Sequence, residues 1–573
     1  MTLVLWLLTV LLVTAPGALL RWRSDTPEDG LDRVISGAVL GLATVVLVAF
    51  FSARVDMRLT PVALVLLAGA VAFAVLRRPS VPASVDRTAA ALLGAVLVAV
   101  FVSRWLPTTR HTFPPGWDPS FHLLLARKVQ LAHALVTDWR PFEDIALNYP
   151  LGSHVLLAAL SDATGLELHV VFKLLFPTLG ALTTAQVFVL ARRATGVVQV
   201  GLYAAMAYGA WTLYGSIDYY RWGGLPSLLG MSLALEALTV LVGGWSTPRA
   251  WLHFAVSFAG AVVVHHHVML TMGLVFLACA AVLWRRDRPR SRWLLLALVA
   301  TGVLAAPQLV PYALRVLSLG DTRVLSYDEE VFTPWRIVLL LGPLLVAFAG
   351  AGLLVARSAR RPDPVVLVTL LTLVGLYALF GHAWRYGTRW LTGSEHVAFT
   401  PSRFVTDLAY VLPVYAGLGL HAALQRVWPR FGASLTPTAH GAVVVAGLAL
   451  GAVHLDAWEA LSRPTVPAPM HAAYAWIAEH TPPETLVLNN EPWTAYATWR
   501  RAARTPIPVS EPEVRGTPKD ALVRAIVSGQ PPESAASLPR VAIRPVATAK
   551  ARGWAVLWEG PDGVAVIDAA ALR

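Results

Sequence analysis

The chain has 573 residues, 56% hydrophobic and only 14% charged, with a mean hydropathy of +0.60 and a formal net charge of +12. Soluble domains carry about 25% charged residues, so this composition excludes a soluble globule and describes a polytopic membrane protein. The positive charge is mostly arginine in scattered short loops, which argues against nucleic-acid binding.

Apolar runs recur along the chain, each long enough to cross a hydrocarbon layer of roughly 30 Å. In order they predict fourteen spans, at 2–20, 33–53, 60–77, 88–105, 168–191, 197–215, 225–243, 250–266, 268–284, 293–315, 335–355, 364–381, 403–424 and 437–455. The first lacks a basic region ahead of its apolar run, so it reads as a span with the N-terminus outside rather than a signal peptide. Alternate connections are rich in arginine (LRRPSVPASVDR, ARRATG, WRRDRPRSRW, ARSARRPD) and fall on one face, which the positive-inside rule makes cytoplasmic. The other face receives the long loop 106–167, SIDYYRWGG, a run of three histidines, GHAWRYGTRWLTGSEHVAFTPSR and the segment after Leu455. Every polar loop able to do chemistry is thus expected outside, on a plasma-membrane protein with both termini outside.

From about Ser462 the pattern changes to a helix, then alternating segments such as RVAIRPV and WAVLWEGPDGVAVID with turn signals. The expected organisation is three parts: extra N-terminal spans in 1–87, a membrane core in 88–461, and a small soluble α/β domain in 462–573. The fold class is all-α and polytopic, with that domain on the outer face. The one cysteine, Cys279, permits no intrachain disulfide.

The loop 106–167 is the longest polar interval in the first 380 residues. In GWDPSFHLLLARKV, Asp118 and His122 share one face of a helix, with Phe121, Leu124, Leu125 and Val129 opposite, as for a helix lying flat on a membrane. Asp followed by Pro is also how an N-cap and first helical position look, so Asp118 reads as general base or as cap. Further on, Glu143 and Asp144 read as solvated loop acids or as metal or base candidates, and Tyr149 and His154 as lining a sugar pocket or anchoring at the headgroups.

In short motifs and layout this loop resembles the GT-C superfamily of membrane glycosyltransferases. The likeness rests on an outer loop with an acid just past a span, two short amphipathic helices, a YPLGSH-type segment and a span ending in ARRATG. The resemblance implies a transferase whose donor is a sugar on polyprenyl phosphate, with Asp118 at the position of the family's essential acid and His122 beside it. It also implies that no nucleotide-binding domain is needed and that donor, extracytoplasmic acceptor and membrane lipid are the partners. Inversion at the anomeric carbon would follow from direct attack by the acceptor hydroxyl.

Downstream, Asp218 reads as a second acid or a metal ligand, Tyr220 as a stacking surface and Arg221 as a phosphate partner. His265 and His266 suit hydrogen bonds to donor phosphate or acceptor hydroxyl; neighbours on a helix point about 100° apart, so the run is a poor metal site. Glu395 and His396 approach the thirteenth span, and Arg403 sits at its outer end, where it clasps a phosphate or snorkels to headgroups. The sequence names no certain cofactor and leaves a divalent cation, magnesium or manganese, open. Inside the spans Glu236 is the one clear acid, and intramembrane charges usually face the protein interior. A transporter of lipid-linked or polar solutes is the rival reading, and a non-catalytic assembly factor is a third.

Overall fold

In the computed structural model the described residues are 2–22, 30–57, 86–116, 118–143, 145–147, 149–213, 217, 219–220, 223–244, 248–318, 334–358, 362–380, 401–428, 437–451, 465–489, 491–503, 539–560 and 563–569. The expected span at 60–77 lies outside them. Seven described helices are long and apolar enough to cross a membrane, and an eighth crossing is made if the pair on either side of Gly342, bent by 97°, counts as one. Pro343 cannot extend the helix before it, which accounts for the break inside the expected span 335–355. The expected span 197–215 is likewise divided: a helix over Val198–Met206 runs into a π turn at Ala207–Trp211.

In chain order the helices are α1 (Thr2–Trp22), α2 (Gly30–Arg54), α3 (Arg87–Trp105), α4 (Asp118–Ala132), α5 (Gly152–Thr164), α6 (Leu168–Thr195), α7 (Val198–Met206), α8 (Leu225–Val242), α9 (Pro248–Val264) and α10 (His266–Arg286). They continue as α11 (Arg288–Ser318), α12 (Pro334–Leu341), α13 (Pro343–Ser358), α14 (Pro364–Ala378), α15 (Pro401–Val427) and α16 (Pro437–Leu450). At the centre, α8 is buried along its whole length, with α6, α9 and α2 packed around it. A helix buried on every side shows no amphipathic period, as its uniformly apolar sequence requires.

Because α6, α8, α9 and α10 run through one core, their ends define two faces. One is built from arginine. Arg192 and Arg193 at the end of α6 donate to Asp32 at 3.1 and 3.4 Å, and Arg290 donates to Asp363 at 3.0 Å. Asp363 also caps α14 by accepting from Val365 N at 2.9 Å, where the helix dipole favours a carboxylate. The opposite face gathers the start of α4, α5, α8, α10 and α15.

Residues 468 onward form a five-stranded sheet in the order β2-β1-β3-β5-β4, from β1 (Leu486–Val487), β2 (Arg501–Ala502), β3 (Arg540–Pro545), β4 (Val556–Glu559) and β5 (Val564–Asp568). The β1–β2 and β1–β3 pairs are parallel, and β3–β5 and β4–β5 antiparallel. Helix Ala468–His480 packs on this sheet. The segment after it also reaches α4: Arg127 donates to the Tyr496 carbonyl at 3.0 Å and lies 4.8 Å over the Trp499 ring. This contact corrects the picture of α4 as a surface helix with one apolar stripe. Its residues Pro119 to Ala126 are all buried, because bundle and C-terminal domain cover it from both sides.

Asp32→Ala removes the one carboxylate shared by Arg192 and Arg193 and leaves two guanidinium groups in a largely buried site. Loss of roughly 3 kcal/mol is expected, seen as a lower unfolding midpoint in detergent micelles. An unchanged midpoint would show that solvent or lipid already satisfies both arginines.

Candidate active site

The site is assembled by two close approaches. Gly223 has φ +94°, and a Cβ there would lie 2.1 Å from Pro119 Cδ, so the loop leading into α8 is pressed onto the first turn of α4. Glycine alone permits both that φ and that contact. The second approach is at Gly152, in the YPLGSH segment, where a Cβ would fall 2.7 Å from the Val263 carbonyl oxygen. This seats α5 against the last turn of α9, beside the histidine run.

Those contacts bring four helix ends together around one ring. Tyr149 lies 5.8 Å from His122, 5.6 Å from His154, 6.2 Å from His265 and 5.6 Å from His266, measured between ring centres. His122 Nδ1 and His154 Nε2 are 3.1 Å apart, so one imidazole donates to the other. Ser227, at the start of α8, accepts from Arg403 Nη1 at 2.9 Å and stands 3.2 Å from His265 Nε2, to which its hydroxyl donates. His267 Nε2 is 2.9 Å from Asp407 Oδ2, one turn along α15 from Arg403. His265 itself is off the helix, in extended backbone (φ −153°, ψ 123°), so the three histidines do not follow helical spacing.

Asp118 opens α4, half-buried and within electrostatic reach of Arg403 and Tyr149. Burial raises it from 3.8 to about 6, with the Arg403 guanidinium pulling the other way. His122 is held well below its ordinary value by burial, reinforced by His154 and Arg403, and burial takes His154 down to about 3. Burial also raises the Tyr149 phenol. At neutral pH the Asp118 carboxylate and the Arg403 guanidinium therefore stand beside neutral His122 and His154, which share a hydrogen bond. Such a set can accept a proton at Asp118, bind a phosphate at Arg403 and grip hydroxyls with the imidazoles and Tyr149.

Of the residues singled out from sequence, the structure gathers Asp118, His122, Tyr149, His154, His265, His266 and Arg403. Tyr220 lies apart: fully buried, it stacks on Phe176 at 4.7 Å, and its hydroxyl meets Thr108 Oγ1 at 3.1 Å. Asp144, Asp218, Arg221, Glu395 and His396 lie outside the described residues. Glu236 stands 3.2 Å from His253 Nε2, deep in the bundle. Ser227 and Asp407 were missed. Asp407 had a signal, since it follows Arg403 by four residues and shares its helix face; Ser227 had none. Among the described residues no group of three or more His, Cys, Asp or Glu is placed to hold a metal ion.

No protein-family model and no curated protein sequence matches the chain. Solved structures do. The chain is similar to ArnT from Cupriavidus metallidurans bound to undecaprenyl phosphate, with TM-score 0.56, 13% identity and coverage of 84% of this chain and 98% of that one. The archaeal oligosaccharyltransferase AglB from Archaeoglobus fulgidus, in complex with an inhibitory peptide and a dolichol-phosphate, gives TM-score 0.54 at 14% identity over 80% of this chain and 70% of that one. The arabinofuranosyltransferase AftD from Mycobacteria gives 0.51 at 19% identity, over 81% of this chain and 35% of that one. These neighbours are GT-C glycosyltransferases, and the fold of this multi-pass membrane chain is theirs.

His154 should keep the neutral imidazole signature in nitrogen NMR of lipid-embedded protein down to pH 5, well above its value of about 3. Assignment rests on His154→Gln. A protonation midpoint near the ordinary value of about 6.5 would show that water, and not the Phe121–Tyr149 wall, surrounds the pair.

Proposed function

We propose that this chain transfers a sugar from a polyprenyl-phosphate donor to an acceptor hydroxyl on the extracytoplasmic side of the plasma membrane, with inversion. The observation that carries the reading is the convergence of Asp118 and Arg403 at one bundle end, within electrostatic reach of each other and walled by neutral histidines. The carriers named for two neighbours, undecaprenyl phosphate and dolichol phosphate, support a lipid-linked donor. The arginine-built face at the far end of the bundle supports an outward-facing site, since arginine marks the cytoplasmic side.

In this mechanism the Asp118 carboxylate takes the proton of the acceptor hydroxyl as that oxygen forms the new bond at the anomeric carbon. The bond from that carbon to the phosphate oxygen breaks with its electron pair, and polyprenyl phosphate leaves. Attack opposite the leaving group inverts the centre. Arg403, steadied by Ser227, neutralises the charge that grows on the phosphate. His122, His154 and Tyr149 hold sugar hydroxyls, and Asp407 with His267 fixes the first turns of α10 against α15.

Asp118→Asn, assayed with a panel of synthetic polyprenyl-phosphate sugars in nanodiscs, should cut transfer about 10²–10⁴-fold while donor binding persists. Full activity in a folded Asn variant would reduce Asp118 to a structural residue. No transfer by wild type from any donor would favour the transporter instead. The pH profile carries a separate sign. The base works only when ionised, so the rate should fall below about pH 6 and level off above it. A rate that rises as pH drops through 6 would exclude Asp118 as base.

A further inference from the structure

A second cavity of about 280 Å³ opens at the same end of the bundle, between the segment ahead of α4 and the C-terminal domain. Arg110, His111 and Phe113 line it on one side, Thr465 and His471 on the other. Its volume is at the lower end of small-molecule sites and suits one sugar ring.

The cavity is built. Phe113 stacks on Trp493 with ring centres 4.6 Å apart and planes at 9°, and its ring lies 4.9 Å from that of His471. Thr465 Oγ1 donates to the Pro114 carbonyl at 3.2 Å, joining the two walls, and Lys173 Nζ donates to the carbonyl of His111. No carboxylate lines the cavity among the described residues, whereas Arg110 is exposed at its rim and forms no ion pair among them. Burial holds His471 below its ordinary value, so its imidazole stays a neutral hydrogen-bonding group at pH 7. Phe113 precedes Asp118 by five residues, at most about 17 Å of chain.

We propose that this cavity is an acceptor subsite for a saccharide that carries an anionic group, a phosphate or a carboxylate. Calling it an acceptor subsite rests on the sugar-transfer reading; the anionic-saccharide chemistry rests on the cavity alone. The Arg110 guanidinium takes the anion as a bidentate pair. His471, His111 and Thr465 meet the ring hydroxyls, and the Phe113 edge closes the apolar side. A bound ring here leaves the neighbouring sugar of the same acceptor within reach of Asp118.

The test is equilibrium binding by saturation-transfer NMR to the full chain in nanodiscs of zwitterionic lipid, with glucose 6-phosphate, glucuronate and glucose as probes. At least one anionic sugar should bind tenfold or more tighter than glucose, and the better of the two tells phosphate from carboxylate. Arg110→Ala should remove at least fivefold of that affinity, His471→Asn should weaken it, and Arg110→Lys should recover part of the Arg110→Ala loss. Arg552→Ala, an exposed arginine elsewhere in the C-terminal domain, should change nothing. Equal binding of glucose, absence of anionic-sugar binding, or indifference to both Arg110→Ala and His471→Asn in folded protein overturns the proposal. Arg110-dependent anionic binding supports the cavity whether or not transfer is detected, and transfer without such binding overturns the cavity alone, so the two readings fail separately.

Discussion

The constraint on which this structure turns is the burial of one carboxyl group at the first turn of α4. Raising Asp118 from 3.8 to about 6 corresponds to about 3 kcal/mol by which its surroundings disfavour the charged form. A cost of that order persists only where the neighbours over-determine the position. They do so here from every side: Gly223 presses on Pro119, Tyr149 stands against Phe121 and His122, and Arg127 ties the last turns of α4 to Tyr496 and Trp499. Arg403 returns part of the cost through its charge. The balance brings Asp118 to about 6, close to neutral pH.

The same desolvation decides what the histidines are. Four imidazoles around a tyrosine suggest a metal centre or a cationic phosphate cradle when read as a list of residue types. Burial drives His122 and His154 neutral, with the Arg403 guanidinium adding to the effect at His122, and each can then donate at one nitrogen and accept at the other. The division of labour follows. Fixed positive charge comes from Arg403 alone among these groups, while the neutral imidazoles offer directional donors and acceptors.

Much of this was legible in the sequence for a physical reason: membrane helices, charge bias and loop length leave long-range marks. The 106–167 loop, Asp118 with His122, the histidine run and Arg403 all stood out as polar residues in an apolar chain. The strands in the C-terminal domain showed through alternation and the PDG turn. Less visible were contacts made across sequence. Tyr220 looked like a sugar platform because aromatic residues at an interface and in a core read alike, and only packing puts it against Phe176. Ser227 is one hydroxyl among many. The helix α4 carried an apolar stripe, but no local signal could report that a domain more than 300 residues away would cover its other side.

That cover changes what the C-terminal domain does. A lid that merely shields a site needs no contact with α4. Here the domain grips it at Arg127 by a carbonyl hydrogen bond and a cation–π contact, and grips the chain ahead of it by stacking Trp493 on Phe113. Asp118 lies between these two holds, five residues after Phe113 and nine before Arg127. A rigid-body shift of the domain would therefore pull on the chain on both sides of Asp118. The domain is thus part of what holds the segment carrying Asp118 in place.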